Sequence, residues 1–242
     1  MNFLLHRHLA HAALGSAAAG IGAMLPDLWR MADRRVRTAP VDVAWSALPE
    51  ASREDATTRE VMRGIEHHLG ADLWFHDHEV FRAGERATAA ALKSAGTQAK
   101  KLGLFAHPLW EMCLDGALVR RLGEVAVREE VASGFAGCAR AATVASEAHH
   151  FAHAEDGDAY RGEVASRMEW LVRELSGGPW IGGYARADGL VRGLEGMRRR
   201  FALAPFAEEE RARLATSIAA LAEQADAALA EILAREGAAG QE

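Results

Sequence analysis

Hydrophobic positions recur at helical spacing along most of the chain, and no stretch alternates between apolar and polar residues as a half-buried strand does. Pro26 predicts a helix start, because proline suits the first turn of a helix. Residues 38–52 contain two prolines and no clean period, which predicts a long loop. The pattern predicts an all-α fold, with helices at about 2–14, from Pro26 onward, 53–70, 71–93, 98–122, 124–153, 159–175, 184–200 and 207–235.

The last predicted helix carries one apolar stripe, with glutamate and arginine on its other faces. Such a stripe is a packing face, and its members are Leu214, Ile218, Leu221, Ala225, Ala228 and Ile232. We predict a single-domain helical bundle over residues 1–203. Residues 204–242 are expected to form an amphipathic helix with a frayed tail. This helix packs either on the same domain or on a second subunit. Both a monomer and a homodimer are therefore compatible with the sequence.

The composition agrees with a helical, globular protein. Alanine, leucine, glutamate and arginine are abundant and favour helix, and 242 residues suffice to bury one good-sized core. The net charge of −6 argues against nucleic acid as a partner. Local basic clusters, at Arg34, Arg35 and Arg37 and at Arg198–Arg200, are either solvated helix ends or contacts for an acidic partner.

The two cysteines and the first 26 residues indicate the cellular compartment in which the protein is expected. Cys113 and Cys138 lie in apolar helical segments without metal-motif spacing, which suits core positions in a reducing compartment. Histidines and glycines interrupt the first 26 residues, which makes a poor signal peptide. No stretch reaches the roughly 18 uninterrupted apolar residues of a membrane span. We therefore expect a cytoplasmic protein without stable membrane insertion.

Two segments, GIEHHLGADLWFHDHEVF and LFAHPLWEMCLDGALV, each carry three ligand-type side chains four residues apart. On a helix this spacing stacks them in a column on one face. Spacing alone does not decide, because about one or two such triples are expected at random in this composition. The two columns are His68, Asp72 and His76 in the first segment, and His107, Glu111 and Asp115 in the second.

The neighbours of these columns are apolar on nearly all sides, which predicts that both helices are buried. Buried imidazoles and carboxylates are costly unless they are paired, hydrogen-bonded or bound to a cation. A metal site and a hydrogen-bond network without metal both meet that requirement. The residues leave these two interpretations open.

The N-terminal segment adds further candidates. His6 and His8 are two residues apart and cannot share one helix face, so at most one of them need be a ligand. Asp27 follows Pro26. Mixed histidine and carboxylate ligands suit Mn, Fe or Zn better than Ca, and such sites activate water and stabilise a phosphoryl group.

Other motifs are weaker. His149, His150 and His153 either chelate a metal or form a polar helix face. HExxH, P-loop and GxSxG patterns are absent, and each cysteine is better explained as core than as a nucleophile.

Three motifs follow one another along the chain: MNFLLHRHLAH, GAMLPDLW and GIEHHLGADLWFHDH. They resemble, in the same order, the MNFLAHxHLA, GNLLxDF-like and GIxxHxxIDxFTDxH elements of the acyl carrier protein phosphodiesterase family. Tyr184 and LVRGLEGMRRR resemble an element near the family's C-terminus, and the order is kept over about 200 residues. GAMLPD is also similar to zinc-dependent phospholipase C-like helical proteins. The family's polar positions are matched by His6, His8, Asp27, His68, Asp72, His78 and Asp115.

The resemblance implies an all-α fold related to HD-domain phosphohydrolases, with a divalent metal, Mn first and Fe or Zn as alternatives. It also implies hydrolysis of holo-acyl carrier protein, which releases 4′-phosphopantetheine from its serine. Three positions depart from the family: His76 and Glu111 each stand in place of Asp, and Gly116 stands in place of His. His107, one turn of helix before Glu111, could compensate for the lost histidine.

We therefore expect a metal-dependent phosphodiester hydrolase, with acyl carrier protein as one candidate substrate. The alternatives are a hydrolase of another phosphodiester, from a lipid or nucleotide, and a non-catalytic binding or scaffold protein with a degraded site. Catalytic roles are predicted for Asp27, His78 and His107, and substrate binding for Arg198, Arg199 and Arg200. The predicted metal ligands are His6, His8, Asp27, His68, Asp72, His76, Glu111 and Asp115.

Overall fold

A computed structural model of the chain describes residues 3–33, 36, 38–97, 102–151, 158–177 and 180–239. These residues form helices and connecting turns, and none of them lies in a strand, which confirms the predicted all-α class. Among them, no helix combines the length and the apolar character that crossing a membrane requires. The helices are α1 (Phe3–Leu14), α2 (Ala17–Ala32), α3 (Val41–Ala47), α4 (Glu50–Glu54), α5 (Ala56–Phe75), α6 (Glu79–Ser94), α7 (Leu102–Leu122), α8 (Glu124–Phe151), α9 (Asp158–Gly177), α10 (Trp180–Tyr184), α11 (Ala187–Arg200) and α12 (Glu208–Ala239).

Contacts between helices divide the chain into two compact units. The first unit consists of Phe3–Leu73 and Arg128–Gly178, and it contains α1, α2 and α9. The second unit consists of Met1–Asn2, Trp74–Val127 and Pro179–Glu242, and it contains α6, α7, α11 and α12. Each unit supplies its own buried residues and its own candidate ligands.

In the first unit, α2 begins earlier than the proline predicted. The hydroxyl oxygen of Ser16 accepts a hydrogen bond from the backbone N–H of Ala19 at 3.2 Å and caps the helix at its start. Pro26 lies inside α2, so the expectation of a helix start at Pro26 is wrong. The polar cap, and not the proline, sets the boundary.

Two glycines bring α2 and α5 into backbone contact within the first unit. A β-carbon built on Gly22 would lie 2.0 Å from the carbonyl oxygen of Val61, and one on Gly64 would lie 1.9 Å from that of Ala19. Only glycine permits so close an approach. The pair therefore sets the separation of the two helices that carry Asp27 and His68.

The segment predicted as a loop between residues 38 and 52 contains the short helices α3 and α4, each preceded by a proline at its N-cap. The indole N–H of Trp45 on α3 donates to Glu66 on α5 at 2.6 Å. The prolines mark helix starts here, since their fixed φ suits the first turn. The loop prediction is wrong at this point.

In the second unit, α12 packs against α6, α7 and α11 through its apolar stripe. All six stripe residues are buried, which confirms the predicted packing face. The aromatic and aliphatic residues around the second column, from Phe105 to Leu114 on α7, are also buried as predicted. The equivalent expectation for α5 is wrong at Leu73, whose exposed fraction is 80%.

Candidate metal centres

The first centre joins three helices of the first unit. His6 on α1, Asp27 on α2 and His68 on α5 each offer a ligand atom, and these atoms lie within 4.8 Å of one another. The two imidazole rings lie 4.0 Å apart between centroids, tilted by 34°. Both histidines are buried, whereas Asp27 is half-buried. The group therefore has one protected side and one side open to solvent.

Asp72, one turn after His68 on α5, faces both rings. Its Oδ1 lies 3.2 Å from Nε2 of His6, and its Oδ2 lies 3.5 Å from Nε2 of His68. The other ring nitrogen of His68, Nδ1, lies 2.8 Å from the carbonyl oxygen of Ala23, to which it donates. Because Nδ1 carries that proton, Nε2 of His68 is the nitrogen left for Asp72 or for a cation.

The electrostatics distinguish the two histidines. Burial lowers the pKa of His6, and the nearby His68 lowers it further. Burial also opposes protonation of His68, but the hydrogen bond to Asp72 and the charge of Asp27 raise its pKa above the ordinary value. Against its own burial, hydrogen bonds from both histidines hold the pKa of Asp72 far below its usual range. Asp72 is therefore ionised, and His68 is the histidine that takes up a proton first.

The second centre lies in the second unit. Nε2 of His76 lies 3.3 Å and Nε2 of His107 lies 3.2 Å from the same atom, Oε1 of Glu111. The ligand atoms of the three residues lie within 4.8 Å of one another. Glu85 on α6 lies on the far side of His107, with Oε1 3.4 Å from its Nδ1. Burial would raise the pKa of Glu111, but nearby positive charge and hydrogen bonds from His107 and His76 hold it well below its ordinary value.

This arrangement corrects the predicted first column. His76 does not continue α5 as the third residue above His68 and Asp72, because α5 ends at Phe75 and His76 lies in the turn before α6. Only two residues of the second column converge. His107 and Glu111 belong to the second centre, whereas Asp115 is fully buried and belongs to neither of the two centres.

No family model, curated protein or solved structure matches this chain.

The family resemblance accordingly stays a prediction that depends on the short motifs. One of its departures has a structural cause. A β-carbon on Gly116 would lie 2.1 Å from the carbonyl oxygen of Tyr184, so this position of α7 has no room for the histidine of the family pattern. His107 lies one turn of helix before Glu111 and contacts it, with Nε2 3.2 Å from Oε1, and Glu111 stands where the family pattern has Asp.

Several predicted residues lie outside both groups. His8 is half-buried on α1 and is not one of the converging ligands. His78 caps α6, where its Nδ1 accepts a hydrogen bond from the N–H of Val80 at 3.3 Å. A catalytic role for His78 and a ligand role for His8 stay predictions.

The predicted substrate-binding arginines end α11. The guanidinium of Arg198 donates from Nε and Nη2 to the carbonyl oxygen of Ala204, at 2.9 and 2.7 Å, and lies 4.1 Å from the ring centroid of Phe206. Arg199 and Arg200 are exposed. Arg198 therefore stabilises the turn that follows α11. Substrate binding by the three arginines stays a prediction. Arg34, Arg35 and Arg37 lie outside the described residues.

His149, the first histidine of the remaining run, and the two cysteines behave as core. His149 is buried beside Trp29, with ring centroids 5.5 Å apart, and burial lowers its pKa to about 4. His153 and the side chain of His150 lie outside the described part. Cys113 and Cys138 are buried and free, and burial raises the pKa of their thiols to about 12 and about 11. Such thiols are poor nucleophiles, as the sequence predicted.

Sequence reasoning missed Glu85 and the carbonyl of Ala23. Neither stands in a motif, because both act across helix contacts that a linear pattern does not encode. The glycines at positions 22, 64 and 84 were the available signal, since a glycine inside a helical pattern has a packing reason.

Proposed function

We propose that this chain is a metal-dependent phosphodiester hydrolase whose reaction centre is formed by His6, Asp27, His68 and Asp72. The observation that carries the proposal is the convergence of two buried imidazoles and a half-buried carboxylate from three helices. The donor set fits a divalent cation of the Mn, Fe or Zn class, because it mixes imidazole nitrogen with carboxylate oxygen.

A divalent cation held by these residues would supply Lewis-acid activation of water and of a phosphoryl group. The protein's contribution is the orientation of its ligands. Ala23 fixes the tautomer of His68, and Asp72 aligns Nε2 of both histidines. Asp27 and Asp72, both partly accessible, line the side from which a substrate would approach.

The family resemblance supplies the expected substrate. On that basis we propose holo-acyl carrier protein, with hydrolysis at the phosphodiester that joins 4′-phosphopantetheine to serine, on a fold related to HD-domain phosphohydrolases. The proposal includes a cytoplasmic location, which suits the two free, buried cysteines. A lipid or nucleotide phosphodiester is the alternative substrate.

A non-catalytic scaffold is the competing function, and one observation favours it. Asp72 faces Nε2 of both buried histidines, at 3.2 and 3.5 Å, so these two nitrogens have a carboxylate partner without any cation. The two functions predict opposite results for metal content and for hydrolysis.

The test uses the full chain purified without a histidine tag, loaded in turn with Mn²⁺, Fe²⁺ and Zn²⁺. Mass spectrometry of holo-acyl carrier protein would show loss of the phosphopantetheine arm, and bis-p-nitrophenyl phosphate would report general phosphodiesterase activity. We expect Asp27→Asn to abolish hydrolysis, and Asp42→Asn, an exposed carboxylate of the same unit, to leave it unchanged. Absence of both hydrolysis and bound metal under every loading condition would refute the proposal.

A further inference from the structure

The second group of ligands, His76, His107 and Glu111, is the strongest feature outside the proposed reaction centre. It draws on the turn before α6 and on α7, all within the second unit. Two imidazole nitrogens approach one carboxylate oxygen, at 3.3 and 3.2 Å. We propose that these three residues form a second, separate cation site that takes a Zn²⁺-class ion. The inference does not depend on the proposed function.

The chemistry of the donors favours zinc. Two histidines with one glutamate is a set that binds Zn²⁺ through three protein ligands and leaves a further coordination position open. The exposed fraction is 35% for each histidine side chain and 7% for that of Glu111. The carboxylate therefore lies at the base of the site, and the imidazoles lie at its solvent side, where an ion can enter.

Glu85 is a positioning residue for His107. Its Oε1 lies 3.4 Å from Nδ1, while the opposite nitrogen, Nε2, faces Glu111. A carboxylate on the outer nitrogen of a histidine fixes the tautomer and the ring orientation of a metal ligand. If His76, His107 and Glu111 formed only a hydrogen-bond network without metal, that network would not require the Glu85 carboxylate.

Apolar packing restricts the two imidazole rings of this site. Phe81 on α6 lies against both rings, with centroids 4.9 Å from His76 and 5.1 Å from His107. Gly84 brings α6 against α7, since a β-carbon there would lie 1.9 Å from the indole of Trp110. The apolar ring and the close helix contact restrict the imidazoles before an ion binds, which lowers the entropic cost of binding.

The experiment measures Zn²⁺ stoichiometry and affinity of the full, untagged chain by competition with a chromogenic chelator, and Co²⁺ absorption as an independent spectroscopic signal. We expect His107→Ala to lose one equivalent of Zn²⁺ and one component of the Co²⁺ spectrum. Glu85→Gln should keep the stoichiometry but weaken binding by about 10- to 100-fold. Glu79→Gln, an exposed carboxylate on the same helix, is the matched control and should change neither.

The double variant His6→Ala/His68→Ala separates this site from the proposed reaction centre. This double variant should retain the equivalent of Zn²⁺ that His107→Ala loses. The second cation site and the proposed reaction centre can therefore each fail without the failure of the other. If His107→Ala does not fold, as judged by circular dichroism, His76→Ala replaces it, because His76 lies in a turn. Unchanged Zn²⁺ stoichiometry in a folded His107→Ala or His76→Ala variant overturns the second site.

Discussion

Nδ1 of His68 donates a hydrogen bond to the carbonyl oxygen of Ala23 over 2.8 Å, and this contact sets the chemistry of the first centre. Ala23 is on α2, four residues before Asp27, so one helix both orients the histidine and supplies the carboxylate beside it. The neighbouring His67 has no such partner for its Nδ1 within the described part of the chain. The two adjacent histidines are therefore a natural pair for comparison.

We predict that His68→Ala loses the metal equivalent of the first centre, whereas His67→Ala retains it. The reason is that only His68 belongs to the converging group. Elemental analysis of both untagged variants after identical loading checks this. Equal metal content in the two would contradict the assignment of His68.

Substitution of Gly64 should disturb both stability and the first centre. In Gly64→Ala the new methyl group would meet the carbonyl of Ala19, and such overpacking costs about 1–3 kcal/mol. The displaced α5 would also weaken metal binding. The control is Gly70→Ala on the same helix, which meets nothing within 4 Å and should gain roughly 0.5–1 kcal/mol from helix propensity. Urea unfolding measures the stability of both variants. Equal unfolding midpoints for Gly64→Ala and Gly70→Ala would refute the close contact between Gly64 and the carbonyl of Ala19.

Restoring the family histidine at position 116 should fail. Gly116→His would place a side chain against the carbonyl oxygen of Tyr184, so we expect a lower unfolding temperature and no gain in metal affinity or hydrolysis. Gly103→Ala, on the exposed face of α7 with nothing within 4 Å, is the matched tolerant site. A stable Gly116→His variant with increased activity would show that the position tolerates a side chain.

Asp55 should make part of the stability dependent on pH. Hydrogen bonds from the hydroxyl and backbone N–H of Thr58, both 2.7 Å long, lower its pKa and cap the start of α5. A carboxylate with a lowered folded-state pKa stabilises the fold above its unfolded pKa of about 3.9, and this contribution is lost as pH falls through the folded value.

Thermal unfolding from pH 7 down to pH 3 tests this. Asp55→Ala should unfold at a lower temperature than the unmodified chain at pH 7, and the gap should narrow below about pH 4. Asp55→Asn keeps a cap acceptor without the charge, so its deficit at pH 7 should be smaller. A gap that is constant with pH would show that the charge of Asp55 contributes nothing.

The sequence predicted the features that depend on local periodicity. The stripe of α12, from Leu214 to Ile232, follows from helical spacing alone. The convergence of His6, Asp27 and His68 could be anticipated only from the family motifs, because residues so far apart in sequence have no periodic relation.

The prediction failed where a boundary has an unusual cap. His78 caps α6, and histidine is not among the residues that usually mark a helix start, so the sequence pattern predicts helix through the turn at His76. Conversely, Ser16 is a usual cap residue and marks the true start of α2, whereas the preference of proline for the first helical turn points to Pro26. Contacts such as Glu85 with His107 depend on helix packing, which no local pattern encodes.

Both compact units are discontinuous in sequence: from Phe3 onward, the chain passes from one to the other after Leu73, Val127 and Gly178. No single cut can therefore release either unit intact, and every terminal deletion that reaches the first of these crossings removes part of a core. During synthesis, the unit that begins at Phe3 stays incomplete until the ribosome has passed Gly178, well over half the chain later. Until then, the segments already made expose apolar helix faces to chaperones and proteases.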